Sequence, residues 1–222
     1  MKRALPQYTH KQELWNSITH LVGVGFSLFV LGTIIYLSSK YTLAFTYMYP
    51  FYIYFLSMFI VFSISTIYHA SPLNGKLRRI FRTIDHSDIY LFVAGTYTPI
   101  CVCAIWDQTI STALLIIEYS LALAGILVTV FGLNNKKMDL IGYIIYLIEG
   151  WALMFFYPFN QCLDFNVFIY ILIGGIIYTI GAITYGIGKK NTWFHTIFHV
   201  FIVIAAVIQF IGIYNILLPI FS

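Results

Sequence analysis

The sequence predicts an all-α integral membrane protein: a single bundle of seven transmembrane helices, N-terminus in the cytoplasm and C-terminus outside. Three observations predict it. Hydrophobic residues make up 60% of the chain and charged residues 9%, where soluble domains carry about 25% charged. Seven apolar stretches each reach the length of about 20 residues that a spanning helix needs. The basic residues, finally, fall almost entirely in alternate connectors.

In chain order, Met1-Lys2-Arg3 and the polar residues up to Ser17 lack the apolar core of a cleavable signal peptide. Helix one then spans roughly 18–38 and helix two roughly 46–69, where Ser71-Pro72-Leu73-Asn74-Gly75 breaks the pattern. Helix three spans roughly 86–105, preceded by Lys76, Arg78, Arg79 and Arg82. Helices four and five, roughly 111–132 and 139–158, flank Lys136 and Lys137. Helices six and seven, roughly 166–187 and 194–218, flank Gly188-Lys189-Lys190-Asn191. The opposite connectors hold only Lys40, so eleven of the twelve basic residues lie on one side, which the positive-inside rule makes cytoplasmic. Connectors this short leave no room for a soluble domain. Charge this sparse leaves no patch for nucleic acid, and the expected partners are membrane lipids. Cys101, Cys103 and Cys162 form no metal or redox motif and read as small apolar residues near membrane ends, without a disulfide.

This topology gathers polar residues at one depth. Helix seven opens with Trp193-Phe194-His195-Thr196-Ile197-Phe198-His199, and residues four apart share a helix face. Helix two ends in Ser65-Thr66-Ile67-Tyr68-His69, helix three begins at Asp85-His86-Ser87-Asp88, and helix one at Asn16-Ser17-Ile18-Thr19-His20. All four groups belong to the cytoplasmic end. Ionisable side chains inside a membrane are costly and point to function.

Imidazoles without nearby thiolates suit zinc, copper, iron or nickel, and three histidines with one open position form the catalytic pattern of zinc. His69, His195 and His199 are the expected ligands and zinc the expected cofactor. Water at the open position would lose a proton near neutral pH. Asp85 would accept or orient that proton, and Ser65, one turn from His69, would hydrogen-bond the water or a substrate carbonyl. The implied chemistry is hydrolysis of an amide or ester in a lipid-like substrate.

Several neighbours have ordinary readings beside functional ones. His20 is either an alternative ligand or a group that holds a ligand through a hydrogen bond, and the second is favoured. Glu13 is either a helix-capping group or a similar support. His86 is expected to face away from the site, His10 to lie in the tail, and Asp88 to be structural. Glu118 and Glu149 lie inside helices four and five, where an ionised carboxylate costs a few kcal/mol. They either line a hydrated cavity or are protonated and bonded between helices, and a structural role is favoured. Gly174, Gly175 and Gly181 would let helix six approach a neighbour closely.

These residues also carry a resemblance. Glu13-Leu14-Trp15-Asn16-Ser17-Ile18-Thr19-His20, Ser65-x-x-x-His69, Asp85-His86-Ser87-Asp88-Ile89-Tyr90 running to Ala94-Gly95-Thr96-Tyr97-Thr98-Pro99, Gly174 to Ala182, and Trp193-Phe194-His195-x-x-x-His199 occur in this order across almost the whole chain. Together they resemble the hemolysin III proteins of bacteria, within the progestin and adiponectin receptor (PAQR) family, whose relatives include the alkaline ceramidases. The resemblance implies seven transmembrane helices, a cytoplasmic N-terminus, residence in the bacterial inner membrane, and an intramembrane zinc on three histidines attended by Ser65 and Asp85. Hemolysin III members often carry one more histidine late in helix seven, where this chain has Gln209.

That family includes cytolysins, receptors and, among its relatives, hydrolases. A zinc site with an open position beside a carboxylate and a serine ranks a zinc-dependent membrane hydrolase first. A regulator of membrane lipid or energy homeostasis, or a receptor-like sensor without turnover, ranks second, because the short connectors offer little surface for coupling. Direct cytolysis ranks third, since a bundle built to reside in a membrane does not suit a secreted toxin.

Overall fold

A computed structural model describes residues 8–71, 75–132, 135–160, 163–188 and 191–218. Among them are seven helices long and apolar enough to cross a membrane: α1 (His10–Lys40), α2 (Phe45–Ala70), α3 (Gly75–Pro99), α4 (Gln108–Gly132), α5 (Lys136–Asn160), α6 (Phe165–Gly188) and α7 (Trp193–Leu217). The protein is a multi-pass, all-α membrane bundle. Neighbours in sequence pack side by side from α1 to α5 and again between α6 and α7, and α7 closes back onto α1. The α5–α6 seam is the thinnest between consecutive helices. The central helix is α3, with 67% of its most apolar window buried against 28% for α1.

Two helices start well before their apolar stretches. α1 begins at His10, because Thr9 and Gln12 form a capping box: Thr9 N–H donates to Gln12 Oε1 at 2.9 Å, and Gln12 N–H to Thr9 Oγ1 at 3.3 Å. This brings Gln12, Glu13 and Asn16 onto the helix as rigid groups. α3 begins at Gly75, which takes φ +53, a left-handed conformation natural only to glycine. Lys76 to Arg82 are therefore helical, and Asp85 sits in the third turn rather than at the start. Hydropathy marks where a chain is apolar, whereas caps decide where a helix begins. At its far end α3 passes through Pro99 into a π-helical turn, Ile100–Ala104. Cys101 and Cys103 lie in that turn, in no disulfide among the described residues, and Cys162 lies outside the described residues.

Lipid takes the place of water outside, so apolar side chains face outward as well as inward; Phe131, at 85% exposure, faces out. The inner face of α4 recurs every three or four residues through Ser111, Leu114, Glu118, Ala122, Gly125 and Thr129. The main apolar core, around Met48, Phe51, Tyr54 and Met58, fills the half of the bundle away from the N-terminus. Gly174 lies directly under the Gln209 side chain, and a Cβ on Gly181 would come 3.1 Å from Phe201, so α6 seats closely on α7. Gly175, expected to share that role, has open space beside it.

Candidate metal centre

The end of the bundle that carries the N-terminus gathers the buried polar residues. His69 lies in the last turn of α2, and His195 and His199 in the first two turns of α7. Each offers one ring nitrogen, and the three nitrogens lie within 4.8 Å of one another. Four-residue spacing stacks the α7 pair, with His195 Nε2 and His199 Nε2 3.0 Å apart. All three rings are buried.

The donor set fits a metal ion. Neutral imidazole has one N–H and one lone pair. His69 Nδ1–H donates to Glu13 Oε2 at 2.6 Å, which leaves the lone pair on Nε2, and that buried nitrogen has no protein partner. His199 Nδ1 is likewise buried and unpartnered. Buried polar atoms are rarely left unpaired, so a cluster of orphaned imidazole nitrogens without thiolates is where an imidazole-binding ion belongs.

The supports come from α1. Glu13 also pairs with Arg78 of α3, whose guanidinium lies 5.0 Å from the centre of the Tyr68 ring. Glu13 is thus the group that orients His69, while Thr9 caps the helix. Asn16 Oδ1 accepts from Thr196 Oγ1 at 2.5 Å, and its amide nitrogen lies 3.4 Å from His69 Nδ1. Gln12 Nε2 donates to Thr192 Oγ1 at 2.8 Å, tying the starts of α1 and α7 together. His20 makes no such bond. Its ring packs at 3.8 Å on that of His199 and both its nitrogens are buried without a hydrogen-bond partner, so the hydrogen bond expected of it is not formed among the described residues.

Tyr8, just before α1, covers the cluster. Its ring stacks on His195 at 5.1 Å and 23°, and meets His69 edge-on at 5.8 Å. Burial pushes the Tyr8 phenol well above its ordinary pKa, and Tyr185 and Tyr68 push the same way against Arg82. It therefore remains a neutral O–H.

His20, His195 and His199 line a cavity of about 120 Å³, with Ser65 and Asp85 on its wall. The Ser65 hydroxyl is buried and lies beside the Asp85 carboxylate. Asp85 Oδ2 lies 3.3 Å from His86 Nδ1, and His86 Nε2 lies 3.1 Å from the Tyr185 hydroxyl. His86 therefore faces the cavity, against expectation, and its ring bridges Asp85 of α3 to Tyr185 of α6. Asp88 is buried with both oxygens unpartnered, and His10 is exposed. Away from the histidines the cavity is walled mainly by apolar and tyrosine side chains of α3 to α7, together with Thr129 and Asp139. Glu118 and Glu149 do not border it.

Sequence reasoning missed Arg78, Tyr8 and Tyr185. Arg78 counted only as a topology charge, and nothing in the order of residues says that Tyr8 folds over His195.

Comparison with known proteins places the chain among relatives. Residues 8–210 match the profile of the haemolysin-III related family. The chain is 36% identical over 196 residues to a protein of Bacillus subtilis (strain 168) named hemolysin-3 homolog, covering 88% of this chain and 89% of the relative. It is 32% identical over 210 residues to hemolysin-3 of Bacillus cereus, covering 94% and 93%. The match takes in every residue of the histidine cluster and its supports, and the chain belongs to the haemolysin-III related family.

Proposed function

We propose that the protein is a zinc-dependent hydrolase of the bacterial inner membrane, acting on an amide or ester bond of a lipid, with its site at the cytoplasmic end of the bundle. The observation that carries this reading is the cavity itself: His195 and His199, two of the three convergent imidazoles, with the His69 ring 5.4 and 5.0 Å from theirs, line it beside a carboxylate, Asp85, and a buried hydroxyl, Ser65. A purely structural metal would have no use for them. Zinc on His69, His195 and His199 would supply a Lewis acid and lower the pKa of water. Glu13 fixes the tautomer of His69, and Arg78 balances the charge of Glu13. Asp85, steadied by His86, is placed to take a proton from water and return it to the leaving group. Ser65 is placed to donate to the carbonyl oxygen of the scissile bond.

The apolar wall and the thin α5–α6 seam favour a lipid as the substrate. Tyr143 of α5 and Tyr185 of α6 face each other at that seam, ring centres 5.6 Å apart, and both line the cavity. A chain entering from the bilayer would have to part these two rings, which are in contact, while Tyr8 covers the aqueous side.

The test is zinc content of the purified protein with hydrolysis of ceramide-like and other acyl-amide lipids. One zinc per chain, lost in His69→Ala and in His195→Ala/His199→Ala, together with turnover lost in Asp85→Ala, supports the reading. Protein without metal, purified free of chelators, refutes it. The relatives' name adds a second reading, lysis of host membranes. Leakage from lipid vesicles that persists in Asp85→Ala would favour it.

A further inference from the structure

The bundle holds a second group of buried acids far from the histidines. Glu118 and Glu149 sit about midway along α4 and α5, each a helix of 25 residues, which places both near the middle of the membrane. Both are 0% exposed, and none of their four carboxylate oxygens has a hydrogen-bond partner among the described residues. They are close enough for their charges to repel. No Lys, Arg or His is among the groups whose charge reaches either one.

The surroundings offer no other relief. Tyr97 of α3 lies near both carboxyls, but its hydroxyl already donates to the Gly150 carbonyl at 3.1 Å and accepts from Leu153 N–H at 3.3 Å. Tyr90 of α3 and Tyr146 of α5 adjoin Glu149, and Cys101 of the π-helical turn adjoins Tyr97. None of these carries a positive charge. Neither carboxyl borders the two cavities lined by Tyr146. A bare carboxylate with neither a cation nor a hydrogen-bond donor beside it does not persist in a low-dielectric interior, whereas a neutral carboxylic acid does.

We propose that Glu118 and Glu149 form a proton-binding site at the centre of the membrane. As α4 and α5 pack, each carboxylate takes a proton from the solvent and is buried as a neutral carboxylic acid. The site is separate from the metal centre and does not depend on the hydrolase reading.

Infrared spectroscopy of the full chain in detergent tests it. At neutral pH the wild type should show a protonated-carboxyl carbonyl band that shifts in heavy water, and Glu118→Gln/Glu149→Gln should remove most of it while remaining monodisperse. A membrane-soluble carbodiimide, which reacts with protonated carboxyls, should mark Glu118 or Glu149 in peptide maps and leave exposed Asp107 and Asp164 unmarked. The mapping needs only wild-type protein, so it decides the matter even if the double variant fails to fold. A difference spectrum without that band, or no mark at either glutamate, would overturn the proposal. Protection from marking by millimolar sodium or calcium would also overturn it, making the occupant a metal cation.

Discussion

Glu13 Oε2 lies 2.6 Å from His69 Nδ1, joining the first turn of α1 to the last turn of α2 across 56 positions of sequence. A carboxylate in that position holds the imidazole with its other nitrogen toward the cluster. Such partners commonly contribute about 10–100-fold to metal affinity. Glu13→Gln should therefore weaken zinc binding by about that factor without unfolding the bundle, as measured by competition with a calibrated chelator. Unchanged affinity would mean that the helix ends alone fix His69.

Asp85 separates chemistry from binding. Asp85→Asn should retain zinc at one per chain and slow lipid hydrolysis by about 10²–10⁴, the usual contribution of a positioned acid or base. Parallel metal analysis and turnover of a fluorescent acyl-amide lipid would check both halves.

Tyr8 should govern how fast the metal leaves. Tyr8→Ala removes ring contacts with two of the three histidines, worth about 0.5–1.5 kcal/mol, so release to a chelator should quicken roughly 2- to 10-fold. Tyr8→Phe keeps the ring and should behave like wild type. Equal rates in all three proteins would show that the aqueous face is closed by something else.

Gly23 tests the packing behind the cluster. A Cβ there would come within 2.6 Å of the Phe62 ring, which itself stands edge-on to His20 at 5.3 Å. Gly23→Ala should cost about 1–3 kcal/mol through overpacking and lower the midpoint of thermal unfolding in detergent. The displaced His20 should also loosen the metal.

How much of this could be read from residue order depends on the range of each cause. Hydropathy is summed over whole helices, so all seven spans were legible, and the spacing of His195 and His199 placed them on one face. The start of α1 was not, because it rests on the reciprocal bonds of Thr9 and Gln12 rather than on apolar content. The start of α3 was missed for a similar reason, and the direction of His86 was missed because its partner, Tyr185, lies on another helix. The role of Glu13 stood as one of two alternatives, since its partner is far away in sequence. Tyr8 over His195 is a contact between the two ends of the chain, and no periodicity encodes it.

The ties between Gln12 and Thr192 and between Asn16 and Thr196 each span 180 positions. A ribosome delivering this chain releases α1 first and α7 last. Until the seventh helix enters the bilayer, Asn16 and Gln12 lack their partners and two of the three histidines have not arrived. A half-made chain thus displays unpaired polar groups to lipid or to the insertion machinery, and the finished one withdraws them together. A metal at the proposed site would be captured only at the end of biogenesis, and a truncated product would be distinguishable to a membrane protease by the same exposed groups.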